Sequence, residues 1–461
     1  MFCGVAILPP TNHLDYENLK KGTSVMATTT ARENWILRWR PMPALAVTMC
    51  IALLHLVVAT TAQAQTYTFN VLYSFSGTPD GASPSAGLTL DGQGNLYGTT
   101  PYGGASNAGT VFKLNSNGKE SVLHSFCFQA NCTDGESPGS DLLLDSQGNL
   151  YGTTVQGGAN YNGVYGAGTV FEVSSTGTET VLYSFCSKPK CTDGSEPFAG
   201  LAMDSQGNFY GTTHSGGGSS RACENLPCGT VFRLSRAHGE NKETRLYSFT
   251  GKSDGGDPSS VLLRDAHGNL YGTSTFLSGD GWGTVFRVAL AGGKWTQTAL
   301  YHFSGRPGAG PYGGLVMDAQ GNLYGTTNGG GTYDAGTVFK LDMAGNESIL
   351  YSFSGTNGDG SYPIAALVLD GQGNLYGTTF SGGDNSCDAP YGCGTVFKLD
   401  TSGNETVLHS FSGGSDGSFP YARLVLDGHG ALYGTTFNGG MNTCANGASG
   451  EGCGVVFKLT P

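Results

Sequence analysis

Three kinds of residue have the types and spacing to do chemistry in this chain. The first is a recurring carboxylate. An Asp-Gly step occurs at Asp80, Asp134, Asp193, Asp254, Asp359 and Asp416, with a Pro shortly after each. Six carboxylates on one face would form a ring of hard oxygen ligands for Ca²⁺ or a cationic group. The same Asp also suits an Asx-type turn copied by duplication, and both readings stand at this point. The second kind is cysteine, in five local pairs: Cys127/Cys132, Cys186/Cys191, Cys223/Cys228, Cys387/Cys393 and Cys444/Cys453. No pair is followed by a His or Cys at zinc spacing, so disulfides are expected. The third kind is departure from a repeat. In one unit Trp282 precedes the third strand and Trp295 lies in the enlarged C-to-D connection, Arg264 replaces an otherwise apolar residue, and in the next Ala309-Gly310 stands for one Asp-Gly step. Arg264 is expected at the mouth of a central channel. His124, His302 and His409 are expected to fill Tyr positions, and His214 to stand alone in its loop. No catalytic set, metal cluster or cofactor site converges by this reading.

These residues need elements to hold them, and the elements repeat. The phrase Gly-Asn-Leu-Tyr-Gly-Thr-Thr or a close copy of it occurs seven times, with its Tyr at Tyr97, Tyr151, Tyr210, Tyr271, Tyr324, Tyr376 and Tyr433. Gaps of 54, 59, 61, 53, 52 and 57 residues mean constant strands and variable loops. Each unit holds four short runs rich in β-branched and aromatic residues, about five residues each. They are Leu-x-Leu/Met-Asp, Leu-Tyr-Gly-Thr-Thr, Gly-Thr-Val-Phe-Lys-Leu and Val-Leu-Tyr-Ser-Phe. No sustained helical period appears after residue 64. Four strands per unit of 50–60 residues predict an all-β, seven-bladed β-propeller of four-stranded blades.

The ends sharpen that prediction. Val71–Phe75 is a spare fourth strand, and Gly454–Leu459 is a third strand with no fourth after it. An N-terminal strand completing the last blade closes the ring and removes an exposed edge. With strands A to D counted outward from the axis, the D-to-A and B-to-C connections share one face. The A-to-B turns are short and nearly invariant, whereas the B-to-C loops run from 8 residues (101–108) to 17 (437–453). All five cysteine pairs, the six Asp residues and Trp282 map to the variable face, where binding is expected.

Residues 1–64 are expected to be a targeting extension and 65–461 the propeller. Arg32, Arg38 and Arg40 precede an apolar stretch from Ala44 to Ala59, and Ala62-Gln63-Ala64 suits cleavage. Met26 would begin a complete signal, making Met1 a doubtful start. Met49 before Cys50 argues against lipid attachment. The formal net charge of −12, with no basic cluster after Arg40, excludes a nucleic-acid footprint. A secreted, periplasmic or cell-surface location follows, with no membrane span in the mature chain and a monomeric state.

The phrases Asp-x-x-Gly-Asn-Leu-Tyr-Gly-Thr-Thr, Gly-Thr-Val-Phe-Lys-Leu and Leu-Tyr-Ser-Phe resemble the Gloeo-Verruco (GloVer) tandem repeat of exported bacterial proteins, often called choice-of-anchor proteins. The resemblance covers residues 69–461 and implies export and a propeller-like fold. It implies no activity, and with the chain ending at Pro461 no anchor is expected. The function expected is a non-catalytic binding or scaffold module. It would meet a cell-surface polymer, a polysaccharide (glycan) or a surface protein through the loop face. The alternative is a carbohydrate-active hydrolase or lyase using carboxylates of that face.

Overall fold

In the first blade, Thr89–Leu90, Leu96–Thr100, Thr110–Leu114 and Glu120–Ser125 pair antiparallel in that order. Six more sheets repeat this order, so the chain is a seven-bladed, all-β propeller. The computed structural model describes residues 66–160, 167–218, 228–237, 240–276, 281–442, 444 and 452–461. The expected targeting segment lies outside them. Among the described residues no helix is long and apolar enough to cross a membrane.

The last blade closes as predicted. Thr68–Ser74 pairs antiparallel with Val455–Thr460, from Thr68 opposite Thr460 to Ser74 opposite Val455. The innermost strands are two residues long in every blade, shorter than expected. The residues just before each line an axial cavity.

The repeated phrase has a physical reading, residue by residue. The Asp ending each inner strand accepts the N–H groups two and four residues on, and the motif Tyr hydroxyl as well. For Asp91 these donors are Gln93, Asn95 and Tyr97. Burial alone would raise the Asp91 pKa. The hydrogen bonds from Asn95, Gln93 and Tyr97 outweigh it and hold the carboxyl below its ordinary range. The motif glycine is required by close approach. A Cβ on Gly98 would lie 2.7 Å from Phe112 Cζ, and the other six copies are as tight or tighter. The first Thr ties blades together: Thr99 Oγ1 donates to Ser140 O of the next blade at 3.1 Å. The second ties strands: Thr100 Oγ1 shares a hydrogen bond with Thr110 Oγ1 at 2.8 Å.

The core sits between blades. Phe75 of each outer-strand run meets its counterpart of Phe112 edge-on in the next blade. All seven such pairs, from Phe75/Phe112 to Phe411/Phe457, have ring centroids 5.0–5.3 Å apart. Fully buried aromatic pairs of this geometry contribute about 0.5–1.5 kcal/mol each beyond area burial.

Candidate functional site

Each of the six Asp-Gly carboxylates turns inward to the outer strand of its own blade. Asp80 accepts from Tyr73 Oη at 2.6 Å and from Ser76 Oγ at 2.7 Å. Asp193 and Asp254 accept from Tyr183 and Tyr247 at 2.7 and 2.8 Å. Asp359 accepts from Ser354 N and Oγ. His124 and His409 stand in the Tyr slot, with Nε2 3.5 Å from Asp134 and 3.2 Å from Asp416. Asp80, Asp134 and Asp193 are buried. The structure therefore distributes these carboxylates among separate blades and gives each a local hydrogen-bonding role.

Two sequence expectations need correction here. His302 is not in the Tyr slot. It pairs with Thr284 as Ser125 pairs with Thr110, and Tyr301 takes the Tyr position. The missing Asp-Gly step is Pro307-Gly308, not Ala309-Gly310. A Cβ on Gly308 would strike Thr327 as one on Gly81 would strike Thr100, while Ala309 bridges Gly329 as Ala82 bridges Tyr102. The Arg264 guanidinium lies 5.8 Å from the Tyr210 ring of the preceding blade.

Four disulfides form as predicted: Cys127–Cys132, Cys186–Cys191, Cys387–Cys393 and Cys444–Cys453. Cys228 is disulfide-bonded as well. Cys223 lies outside the described residues. Trp282 is exposed and stands over Gly305 of the next loop. It is apart from the six Asp residues.

What positions the loop face is a register absent from the sequence reading. Each D-to-A loop runs antiparallel to the extension of its B strand, as at Ala82/Tyr102, Ser195/Ser215 and Ser418/Asn438. The next residue is left-handed in all seven blades: Ser83, Ser137, Glu196, Asp257, Gly310, Tyr362 and Phe419, with φ between 53° and 62°. For a non-glycine residue this costs roughly 1–2 kcal/mol. The strain is held because each N–H donates to the loop of the preceding blade. Ser83, Asp257 and Phe419 donate to the carbonyls of Cys453, Cys228 and Cys393. The disulfides of the B-to-C loops thus sit at the carbonyls that fix this ring.

Just beyond the left-handed residues, the same segments of all seven blades line an axial cavity of about 340 Å³. Its rim is unequal. Blades 1 and 2 contribute small side chains such as Ser85 and Gly139. Blades 3 and 4 contribute an acidic arc. Glu196 Oε2 accepts from Ser215 Oγ at 3.0 Å and lies 3.9 Å from His214 Nδ1. The Asp257 carboxyl is raised by burial; His214 pulls it down and Glu196 pushes it up. His214 is therefore not alone: Glu196 faces it across the loop. Blades 6 and 7 contribute an aromatic arc. Phe380 stacks on Phe419 at 4.9 Å and meets Tyr421 edge-on at 5.3 Å, and Tyr421 reaches Phe437 at 5.7 Å.

Inside the cavity, Arg423 Nε donates to Asp141 Oδ2, joining blade 7 to blade 2. Asp141 Oδ1 accepts from Gly87 N of the blade between, at 2.6 Å. The signal was available in the repeat: the residue before the inner-strand Leu is Gly, Val or Ala in the other five blades. Among the described residues no three His, Cys, Asp or Glu side chains are grouped to hold a metal ion.

Exposed aromatic residues are confined to this face among the described residues. Phe128, Phe198, Tyr312, Tyr362 and Tyr421 come from D-to-A loops, and Tyr102, Trp282, Tyr333 and Tyr391 from B-to-C loops.

The family model of the Gloeobacter/Verrucomicrobia repeat matches residues 57–223 and 161–389. No curated protein matches. Among solved structures, a luciferin-regenerating enzyme is 12% identical, covering 86% of this chain and 95% of its own, with a TM-score of 0.40. A protein suggested to be a 6-phosphogluconolactonase, from Bacteroides uniformis, is 14% identical, covering 76% and 93%, with a TM-score of 0.44. At these identities and scores the likeness bears on neither site nor activity.

Proposed function

This chain belongs to the Gloeobacter/Verrucomicrobia repeat family, and from that premise we propose that it is an exported, non-catalytic binding propeller whose loop face takes a glycan. The observation carrying this reading is the confinement of exposed aromatic side chains to one face among the described residues, with Phe198, Tyr312 and Tyr421 lining the axial cavity. Aromatic rings present large, rigid surface at low entropic cost, and pyranose rings offer apolar C–H faces to stack on them. The disulfides fit an oxidising compartment, with residues 1–64 removed on export. A glycan array probed with protein starting at Gln65 is the test. Binding lost in Tyr421→Ala and Tyr312→Ala supports the reading. Silence across the array favours a purely structural surface protein.

A second reading is favoured by one specific observation. Burial, with a smaller contribution from Glu196, pushes the Asp257 carboxyl toward its protonated form, as for a general acid of a glycoside hydrolase. Release of reducing ends from a bound glycan, abolished in Asp257→Asn, would favour this reading over simple binding.

A further inference from the structure

We propose that the axial cavity is a site for one sugar acid: a single uronate of an otherwise neutral glycan, its carboxylate taken by Arg423 and its ring by the aromatic side chains of the same cavity. This deepens the glycan reading above and rests on it.

Arg423 and Asp141 hold the same repeat position in blades 7 and 2, and Gly87 holds it in blade 1 between them. Glycine is required there, because a Cβ on Gly87 would lie 2.7 Å from Arg423 Cγ and 2.9 Å from Asp141 Oδ1. The pair therefore fills one side of the cavity. On the other side the position is Gly200, Val261, Gly314 and Ala366, all lining the same cavity, so open space faces the pair. Asp141 engages the guanidinium at Nε. Nη1 and Nη2 have no hydrogen-bond partner among the described residues, and neither is sealed from open space. A guanidinium held at Nε presents its Nη groups as a planar fork, which matches the two oxygens of a carboxylate. Asp141, itself fixed by Gly87 N, is a positioning residue for that fork.

Two residues earlier in the same segments stand Phe198, Tyr312 and Tyr421, which line this cavity and remain exposed. Burial first, then the nearby Tyr312, raises the Tyr421 hydroxyl, which places these two rings on one side of the mouth. Donor fork and ring faces thus share one cavity, as the carboxylate and ring of a uronate require. At about 340 Å³ the cavity is at the small end for a ligand site, which suits one or two sugar residues. The formal net charge of −12 opposes a polyanion, and a single carboxylate on a neutral glycan avoids most of that repulsion. Asp141 offsets the charge of Arg423, so the preference for an acid rests on directed N–H donors and is modest.

The test is calorimetric titration at pH 7 of the disulfide-intact protein. The ligands are a disaccharide of glucuronate and glucose, its neutral glucose–glucose parent, acetate and inorganic phosphate. The acidic disaccharide is expected to bind about tenfold more tightly than the other three. Arg423→Lys keeps a charge beside Asp141 but loses the fork, and should bring the acidic disaccharide down to the affinity of its parent. Ala366→Leu leaves the pair intact, fills the open side, and should weaken both sugars about tenfold. If the two disaccharides bind alike, the uronate inference falls while the glycan reading stands. If acetate or phosphate binds as tightly as the acidic disaccharide, the cavity takes a free anion and the inference falls. If the acidic disaccharide keeps its full affinity in both variants, it binds elsewhere and the inference falls. If neither disaccharide binds, the inference falls, and the glycan reading falls with it only if the glycan array is silent too.

Discussion

Phe69 stacks face to face on His409, with ring centroids 3.8 Å apart and planes within 6° of parallel. By strand register, Phe69 occupies the outer-strand slot that holds Glu120, Glu179, Glu243, Gln297, Glu347 and Glu405 in the other blades. The seam where the first strand closes the ring is thus the one where an acid or amide has given way to an aromatic ring. Deleting residues 65–75 removes this stack and uncovers the edge of Val455–Thr460. The truncated protein is expected to melt earlier and to aggregate, as read by light scattering. A truncated monomer of unchanged melting temperature would contradict strand closure.

The carboxylates at the other seams predict a pH dependence. Burial first, then the neighbouring Asp80, Asp134 and Asp359, push Glu120, Glu179 and Glu405 up to about 7 from an ordinary 4.5. The folded state holds these protons more tightly than the unfolded chain. Their contribution is therefore fully present below pH 4.5 and is lost as pH rises through about 7. The inner-strand Asp residues, held below their ordinary range, act oppositely in acid. Thermal melts should show greater stability near pH 5 than at pH 8. Glu120→Gln, Glu179→Gln and Glu405→Gln together should flatten that slope.

Gly98→Ala tests the close approach within a blade. The added methyl would lie 2.7 Å from Phe112, which is itself locked against Phe75. Overpacking of this kind costs about 1–3 kcal/mol. Chemical denaturation should detect that loss. A stability equal to that of the unaltered protein would show that the Phe112 ring has room to move.

The Arg423–Asp141 pair tests the axial link. Arg423→Ala leaves Asp141 lining the cavity with only Gly87 N as partner. The cost expected is roughly 1–2 kcal/mol, below that of a wholly buried pair because the guanidinium is partly exposed to the channel. Replacing both residues with Ala should cost less than the two single changes summed. Full additivity in that double-mutant cycle would mean the pair is not coupled.

Reduction tests the staples. Each disulfide closes a short loop and is expected to contribute roughly 2 kcal/mol. Reduced protein should melt earlier yet keep its β-sheet circular dichroism, because the seams are held by Phe pairs and Thr hydroxyls. Ten reactive thiols in unreduced protein would refute the bonds.

The fold was legible because its signals are local and repeated. Seven copies of Leu-Tyr-Gly-Thr-Thr mark seven second strands, and the spare Val71–Phe75 beside the partnerless Gly454–Leu459 announces closure. The side of the molecule carrying the cysteines follows from strand order alone. Where local comparison failed, it failed by register. His302 looked like a Tyr substitute until its pairing with Thr284 placed it in the serine slot, and Pro307-Gly308 was overlooked beside Ala309-Gly310.

Tertiary structure alone decided which residues share the axis. Arg423 and Asp141 are 282 residues apart, and only curvature of the ring brings blades 7 and 2 to one cavity. Glu196 and His214 come from two loops joined by the Ser195/Ser215 bridge, and Glu196 follows that bridge in a left-handed state that six of the seven blades adopt without glycine. The six Asp-Gly steps show the converse. Their spacing suggested a shared ring, but each side chain has a donor nearby in sequence, a Tyr, His or Ser side chain for five and the Phe128 and Gln129 N–H groups for Asp134, and a hydrogen bond available locally is made before one across a channel. Local pattern was enough for the scaffold. The rim required the side-chain directions that only packing sets.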